Sequence, residues 1–384
     1  MIKFLTRTIT YLRSGEFKLH FKLWRWRMMQ SMPVGKYLLH SMYGNNHAHL
    51  DRDVFGIHFR SPIGLAAGID HNGELIDAWS AAGFGFAEVG SITSHTQGST
   101  PHPHLFRLKA DHALLNRAEI ESAGVEQVIE NIKRRHSRIV VGGNITKNTT
   151  TAREDAPREY LRLFRPLYQY VDYFTVNICC NSTENQFVPT DKEEIMAILT
   201  PLFEFRRGQN QYRPILLKIS PDMSDEQIDL MTDIMLDTPL DGIVATGGTT
   251  GRYGLDKSAT QMHELGRTAG TLSGTPLKSR AIEVVKRIYV RSKGTYPIIG
   301  CGGISTAEDA KAMLDAGATL VQICTEFIYN GGKAIRRINL GLDELLNKPE
   351  PSGTPAKATD TAEEATTTTE KATTTANTQP LKAE

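Results

Sequence analysis

Residues 173–183, YFTVNICCNST, place two adjacent thiols, Cys179 and Cys180, among the amides of Asn177 and Asn181 and the hydroxyl of Ser182. A thiol in polar company can act as a general base, because its pKa lies much nearer neutrality than that of an alcohol. The same pair can also serve as two small core hydrophobes, since free cysteine is among the most buried residue types. Lys218, inside the apolar run LLKIS, is a second candidate. An unpaired ammonium is costly in such surroundings, so it must reach a polar group. Three partners are open to it: a flavin that gains negative charge on reduction, a carbonyl substrate in a Schiff base, or a structural carboxylate. The third candidate is GCGGIS at 300–305, with Cys324, Thr325, Gly331 and Gly332 further along. Glycines where a strand meets a helix expose backbone amides that bind phosphate, or they serve tight turns alone.

These groups need a scaffold that brings them together, and the hydrophobic pattern supplies one. From residue 61 onward, eight short apolar runs, PIGLAAG, FGFAEVGSI, RIVVGGNI, YFTVNIC, PILLKIS, GIVATGG, PIIGCGGI and LVQICTE, alternate with amphipathic stretches. Strand and helix in alternation argue for a parallel sheet covered by helices, and eight units suit a closed (β/α)8 TIM barrel. The active site of such a barrel lies at the C-terminal ends of its strands. Asp70 and His71, Ser91, Asn144 and Lys147, and Asn177 to Ser182 follow runs one to four. Lys218 and Thr246 lie within runs five and six.

Composition excludes several classes. The 384 residues carry a net charge of +1, which argues against a nucleic-acid partner, and 40% are hydrophobic, enough for a substantial core. The four cysteines, at 179, 180, 301 and 324, match neither a metal site nor a disulfide framework, as expected of a reducing cytosolic compartment. No run is long enough to span a bilayer, and the start lacks the features of a signal peptide. In residues 1–50, Phe17, Phe21, Trp24 and Met28 fall on one helical face beside Lys18, Lys22, Arg25 and Arg27. A break at Pro33 and Gly35 precedes KYLLHSMYG, so two short amphipathic helices are expected. They form either an interfacial membrane anchor or a hairpin packed on the domain. The expected organisation is therefore a helical extension over 1–50, a barrel over 51–348 and a disordered Thr-, Ala- and Glu-rich tail over 349–384.

The order of SPIGLAAGID, GFGFAEVGSIT, HLFRL, LLNR, GGNITKN, VNICCNST, PILLKISPD, GIVATGGTT, TLSGTPL, PIIGCGGIS and GATLVQICTEFIY resembles the dihydroorotate dehydrogenases. It is most similar to the quinone-using, membrane-associated class 2 group, over about residues 10–340. The resemblance implies FMN held by Ala67, Gly68, Ser91, Asn144, Asn177, Lys218, Thr246, Gly274, Gly303 and Thr325. A single terminal phosphate, with no adenylate motif, suits FMN rather than FAD. It further implies that Asn116 and Asn177 hold the pyrimidine, with His71 and Ser182 at neighbouring substrate positions, and that Cys180 is the base. That base takes a proton from C5 of dihydroorotate while C6 gives hydride to the flavin. Orotate as product, a membrane quinone as acceptor, and peripheral association with the cytoplasmic side of the inner membrane follow from the same likeness.

Departures cluster around the substrate. The family's AAGxDK reads AAGIDH, ending in His71. NRxGFNN reads NRAEIES, which introduces Glu119 and Glu121. The SPN or CPN element reads CNS, with Ser182, and ATNTT reads ATGGT, with Gly247. Losing amide partners and adding acids near an anionic substrate weakens its binding. This motivates an alternative: a divergent paralogue with another small substrate, or a catalytically silent flavoprotein.

Overall fold

β1 (Arg52–Val54) and β2 (Ile57–Phe59) form an antiparallel pair, and the chain then lays down β3 (Ile63–Leu65) and β4 (Phe86–Ile92) in parallel. It leaves for an antiparallel excursion, β5 (Leu105–Leu108) and β6 (Ala113–Asn116). It returns as β7 (Val140–Ile145), β8 (Tyr173–Asn177), β9 (Ile215–Ile219) and β10 (Gly242–Ala245). A second excursion, β11 (Thr271–Gly274), joins β6, and β12 (Ile298–Cys301) and β13 (Leu320–Ile323) complete a closed eight-stranded barrel. Each of the eight apolar runs contains one of its strands. The structure, a computed structural model, describes residues 11, 15–44, 48–98, 104–179, 191–255 and 270–347. The chain divides into two units, 1–347 and 348–384, and the expected disordered tail lies outside the described residues.

The strands are buried on both faces, which is why they read as apolar runs rather than alternating ones. Phe86, Val140, Tyr173, Leu216, Val244, Ile299 and Leu320 form one layer near the N-terminal ends of the strands, and Val54 and Phe59 of the β1–β2 pair pack against it. That end is plugged with hydrocarbon, leaving the other end for polar side chains. Helices such as Ala156–Leu167 and Lys278–Arg291 cover the outside through Tyr160, Leu163 and Phe164, and through Ala281, Val284 and Ile288.

The N-terminal extension is a pair of helices, α1 (Gly15–Gln30) and α2 (Pro33–Tyr43). The break falls at Ser31–Met32, with Pro33 in the first turn of α2, where its missing N–H costs nothing. Gly35 lies within α2 rather than in the break. A Cβ there would come within 2.1 Å of the Met29 carbonyl oxygen, so the glycine permits close approach of the two helices. Burial of α1 runs through Leu19 and Trp26. Trp26 stacks with Tyr43 at 5.8 Å, meets Trp79 at a tilt at 5.3 Å and Phe327 edge to face at 5.3 Å, tying both helices to the barrel. Each such aromatic pair adds about 0.5–1.5 kcal/mol beyond its buried area. The aromatic stripe faces outward instead: Phe21, Trp24 and Met28 are about half exposed. Among the described residues, no helix is long and apolar enough to cross a membrane.

Candidate active site

Glu88, on β4, points into the barrel and is fully buried. Its Oε1 accepts from Asn144 Nδ2 at 2.7 Å. Its Oε2 accepts from Gln322 Nε2 at 2.7 Å, Thr175 Oγ1 at 3.0 Å and Tyr173 Oη at 3.2 Å. A carboxylate has no proton to give, so it fixes the orientation of both amides. Asn144 must turn its Oδ1 outward, where it accepts from Ser91 Oγ at 2.6 Å and Asn177 Nδ2 at 3.2 Å, and Asn177 also donates to Ser91 at 3.0 Å. Gln322 must turn its Oε1 away as well, and that buried oxygen has no partner. Neither Glu88 nor Gln322 stood out in the sequence.

Gln322 lines a cleft at the C-terminal ends of the strands together with Ala67, Lys218, Thr246, Gly274, Gly303 and Thr325. Lys218 is buried, and among the described residues its ammonium has no hydrogen-bond or ion-pair partner. Burial pushes its pKa down, but attraction to Cys301, Glu88, Cys179 and Cys324, the thiols counting only once ionised, outweighs it and holds the pKa above the usual lysine value. The ammonium is therefore charged at neutral pH. Burial raises the Cys301 thiol and pushes that of Cys324 up to about 12, leaving both neutral at pH 7, so of these groups it is Glu88 that attracts the ammonium. These two thiols act as small apolar walls.

Gly303 has φ +71°, and a Cβ there would meet the Lys278 backbone nitrogen at 2.7 Å, so the turn after β12 can only be bare backbone. Ser273 and Thr325 hydroxyls are 2.9 Å apart at the same end. An unpartnered cation, an orphaned amide oxygen, bare backbone and a hydroxyl pair in one cleft fit a planar, hydrogen-bonding ring system with an anionic tail, as flavin cofactors have.

Of the residues singled out by sequence, Ser91, Asn144 and Asn177 form one hydrogen-bonded cluster. Ala67, Lys218, Thr246, Gly274, Gly303 and Thr325 line the cleft, and Gly68 follows Ala67 at φ +100°. Asn116 lies at the end of β6 in the antiparallel excursion, where its Oδ1 accepts from Ala118 N. Cys179 donates its thiol to the Lys218 carbonyl at 2.9 Å and its amide to Asn177 Oδ1 at 3.0 Å. Cys180 and Ser182 lie outside the described residues. Two other polar residues are engaged elsewhere. Asp70 accepts from the amides of Glu74 and Leu75 and from the Trp79 indole. Lys147 donates to the Asn148 and Thr151 carbonyls.

His71 carries a buried, unpartnered Nδ1. Burial lowers its pKa, only partly offset by Glu121 and Asp70, so the ring is neutral at pH 7. Glu121, in the loop that follows β6, faces His104 at 3.6 Å. Two departures, His71 for lysine and Glu121 for asparagine, therefore interact with each other electrostatically. Ser122 is built into the loop by a bridge to Gln97, and its hydroxyl accepts from Thr93 N and Gly124 N. Among the described residues, no group of histidine, cysteine and acidic side chains could hold a metal ion.

Comparison with known proteins agrees with this geometry. The sequence model of the family described as dihydroorotate dehydrogenase matches residues 49–346. A dihydroorotate dehydrogenase (quinone) of Christiangramia forsetii is 40% identical over 313 residues, covering 82% of this chain and 90% of its own. One from Thermosynechococcus vestitus is 42% identical over 318 residues, covering 82% and 86%. A crystal structure of DHODH from Eimeria tenella in complex with ferulenol superimposes with a TM-score of 0.73 at 30% identity, covering 81% of this chain and 91% of that one.

Proposed function

The chain belongs to the dihydroorotate dehydrogenase family, and from that premise we infer that it oxidises dihydroorotate to orotate and passes the electrons to a quinone, in pyrimidine biosynthesis. The observation that carries this reading is the cleft at the barrel mouth, with a charged, unpartnered Lys218 on the strand beside the Ser91–Asn144–Asn177 cluster. The family is flavin-dependent, and the flavin assigned to this cleft is FMN. Bound there, it supplies a hydride acceptor for the substrate and a donor to the quinone.

Lys218 offers positive charge where the ring becomes more negative, so it favours the reduced form. Gly303 and Gly274 backbone, with Thr325, would hold the terminal phosphate. Asn177, held by side-chain hydrogen bonds to Ser91, Asn144 and the Cys179 amide, keeps its orientation without reorganising when substrate arrives. Cys180, next along the chain from Cys179, is assigned as the base that removes the C5 proton. A thiol does this without the proton relay a serine needs, because its pKa lies closer to neutrality. His71, Asn116 and Ser182 are assigned to the substrate side.

The α1–α2 pair is assigned to quinone access and to peripheral association with the cytoplasmic face of the inner membrane. The half-exposed Phe21, Trp24, Met28 and Tyr37 support this, since aromatic and aliphatic side chains beside Lys and Arg favour the headgroup boundary. No observation favours the divergent-paralogue or silent-flavoprotein alternative. The test is anaerobic: dihydroorotate should bleach the flavin absorption of the purified yellow protein, and a soluble quinone should restore it. Protein that stays yellow with dihydroorotate but bleaches with another reductant of similar size would refute the substrate assignment.

A further inference from the structure

The run KRRHSR at 133–138 has no part in the barrel chemistry, yet it lies against the turn of the α1–α2 pair. A cleft of ≈ 540 Å³ sets Arg134, Arg135 and His136 opposite Gln30, Ser31 and Pro33. A second cleft of ≈ 890 Å³ sets Arg60 and Arg138 opposite Tyr37 and His40 of α2. The two share Lys36, Asp77 and His136 in their walls. Asp77 joins the pieces, accepting from Lys36 Nζ at 2.8 Å, His136 N at 2.9 Å and Ser137 N at 2.9 Å.

Charge in this trough is unbalanced. Six permanent cations line it (Arg27, Lys36, Arg60, Arg134, Arg135 and Arg138), against three carboxylates, Asp51, Glu74 and Asp77. Glu74 is held by Arg27, Asp77 by Lys36, and Asp51 lies 3.2 Å from His58. Arg60, Arg134 and Arg138 are exposed, and among the described residues none has a carboxylate partner. Beside them α2 and its approach present Met32 (50% exposed), Val34 (69%), Tyr37 (72%) and Leu38 (46%) to solvent. A net charge of +1 over the whole chain makes this collar a local feature.

We propose that the trough is a docking surface for anionic phospholipid headgroups, seated while the Met32–Leu38 edge enters the acyl boundary. This rests on the membrane reading above and deepens it. Guanidinium groups pair bidentately with phosphate, and three of them without internal partners lose no existing ion pair on binding. The apolar edge supplies charge-independent binding, and the arginines add a preference for negative surface potential.

The experiment is vesicle co-sedimentation of the flavin-loaded protein with neutral phosphatidylcholine and with phosphatidylcholine containing phosphatidylglycerol, for wild type and Arg60→Gln/Arg134→Gln/Arg138→Gln. Each arginine near the surface is worth about fivefold in partitioning at low salt, so the triple variant should lose on the order of 100-fold on anionic vesicles. Its partitioning onto neutral vesicles, its melting temperature and its flavin bleaching by dihydroorotate in detergent should match wild type. Raising the salt should shrink the wild-type preference by screening. Equal wild-type binding to both vesicle types, or a triple variant that keeps the preference, would overturn the collar while leaving the membrane reading standing. Wild type bound to neither type would overturn both.

Discussion

Replacing Glu88 by glutamine removes one charge from the barrel axis while keeping its shape, and the surrounding hydrogen bonds determine the cost. The carboxylate accepts from two hydroxyls and two amides. Tyr173 and Thr175 can reverse and accept from the new amide, but Asn144 and Gln322 cannot both keep their donors inward. Turning Gln322 is the cheaper solution, because its outward Oε1 has no partner to lose, whereas turning Asn144 breaks its bonds to Ser91 and Asn177. Exchanging a charged for a neutral acceptor costs about 1 kcal/mol per amide bond, so about 2 kcal/mol for two, and more once Lys218 loses its counter-charge. A total of roughly 2–3 kcal/mol lowers the melting temperature by roughly 3–5 °C in a domain of about 300 residues. The turned Gln322 also presents Nε2 in place of Oε1 to the cleft, so flavin affinity should fall together with stability. Differential scanning calorimetry and flavin titration of the apoprotein read both quantities. An E88Q protein that melts with wild type and binds flavin as tightly would refute the view that this carboxylate orients the site.

Lys218→Ala should yield protein that purifies with little flavin, and a fully yellow variant would remove the lysine from the site. Cys180→Ala should slow flavin reduction by about 10²–10⁴-fold without loss of bound flavin, while Cys180→Ser retains part of the rate with a higher pH optimum and Cys179→Ala changes stability only. Equal single-turnover rates at every pH would show that Cys180 is not the base. Asp77 is partly desolvated, which raises its pKa, but Lys36 and the Ser137 and His136 amides hold it down to about 2. Its contribution is thus complete above the ordinary carboxylate value and is lost as pH falls toward about 2. Protease resistance of α1–α2 in Asp77→Asn should be lower than in wild type at neutral pH, and the difference should vanish in that acid window. A Cβ at Gly247 would stand 3.5 Å from that of Cys179, in ordinary contact, so Gly247→Asn should fit and lower the Michaelis constant for dihydroorotate severalfold. An unchanged or raised constant would show that this position does not face the substrate.

The barrel was legible because strands buried on both faces write themselves as uninterrupted apolar runs, and all eight are found where those runs stand. The β1–β2 plug was missed because RDV and IHF are too short and polar to stand out, and only Val54 and Phe59 are buried there. Ser91, Asn144 and Asn177 were readable by position at strand ends. Glu88 and Gln322 were not, since FAEVGSI and LVQI read simply as strands, and the two residues are separated by 234 positions. Once a barrel is assumed, a signal does exist. Glu88 pairs in register with Gly142, Asn144 with Thr175, and Asn177 with Lys218, so the inward positions of four neighbouring strands are polar where the layer beneath is hydrocarbon. The outward aromatic stripe of α1 followed from helical spacing, but which face it turned to the barrel did not, because Trp26 lies off the stripe and alone among these rings is buried by the domain.

The placement of the tryptophans has an optical consequence. The chain has three, and all lie on α1 or directly against it: Trp24, 56% exposed, and the fully buried Trp26 and Trp79, 5.3 Å apart. The rest of the barrel holds none, so ultraviolet emission excited at the indole band reports on one region only. Trp24 should emit at long wavelength in buffer and shift to the blue when its surroundings turn apolar. Trp26 and Trp79, closely coupled, behave as one internal chromophore whose emission reddens and brightens only when α1 lifts away from the domain. The molecule thus carries its own two-colour probe, with one indole sensing what lies outside and a pair sensing attachment, and no extrinsic dye is needed to tell adsorption from detachment.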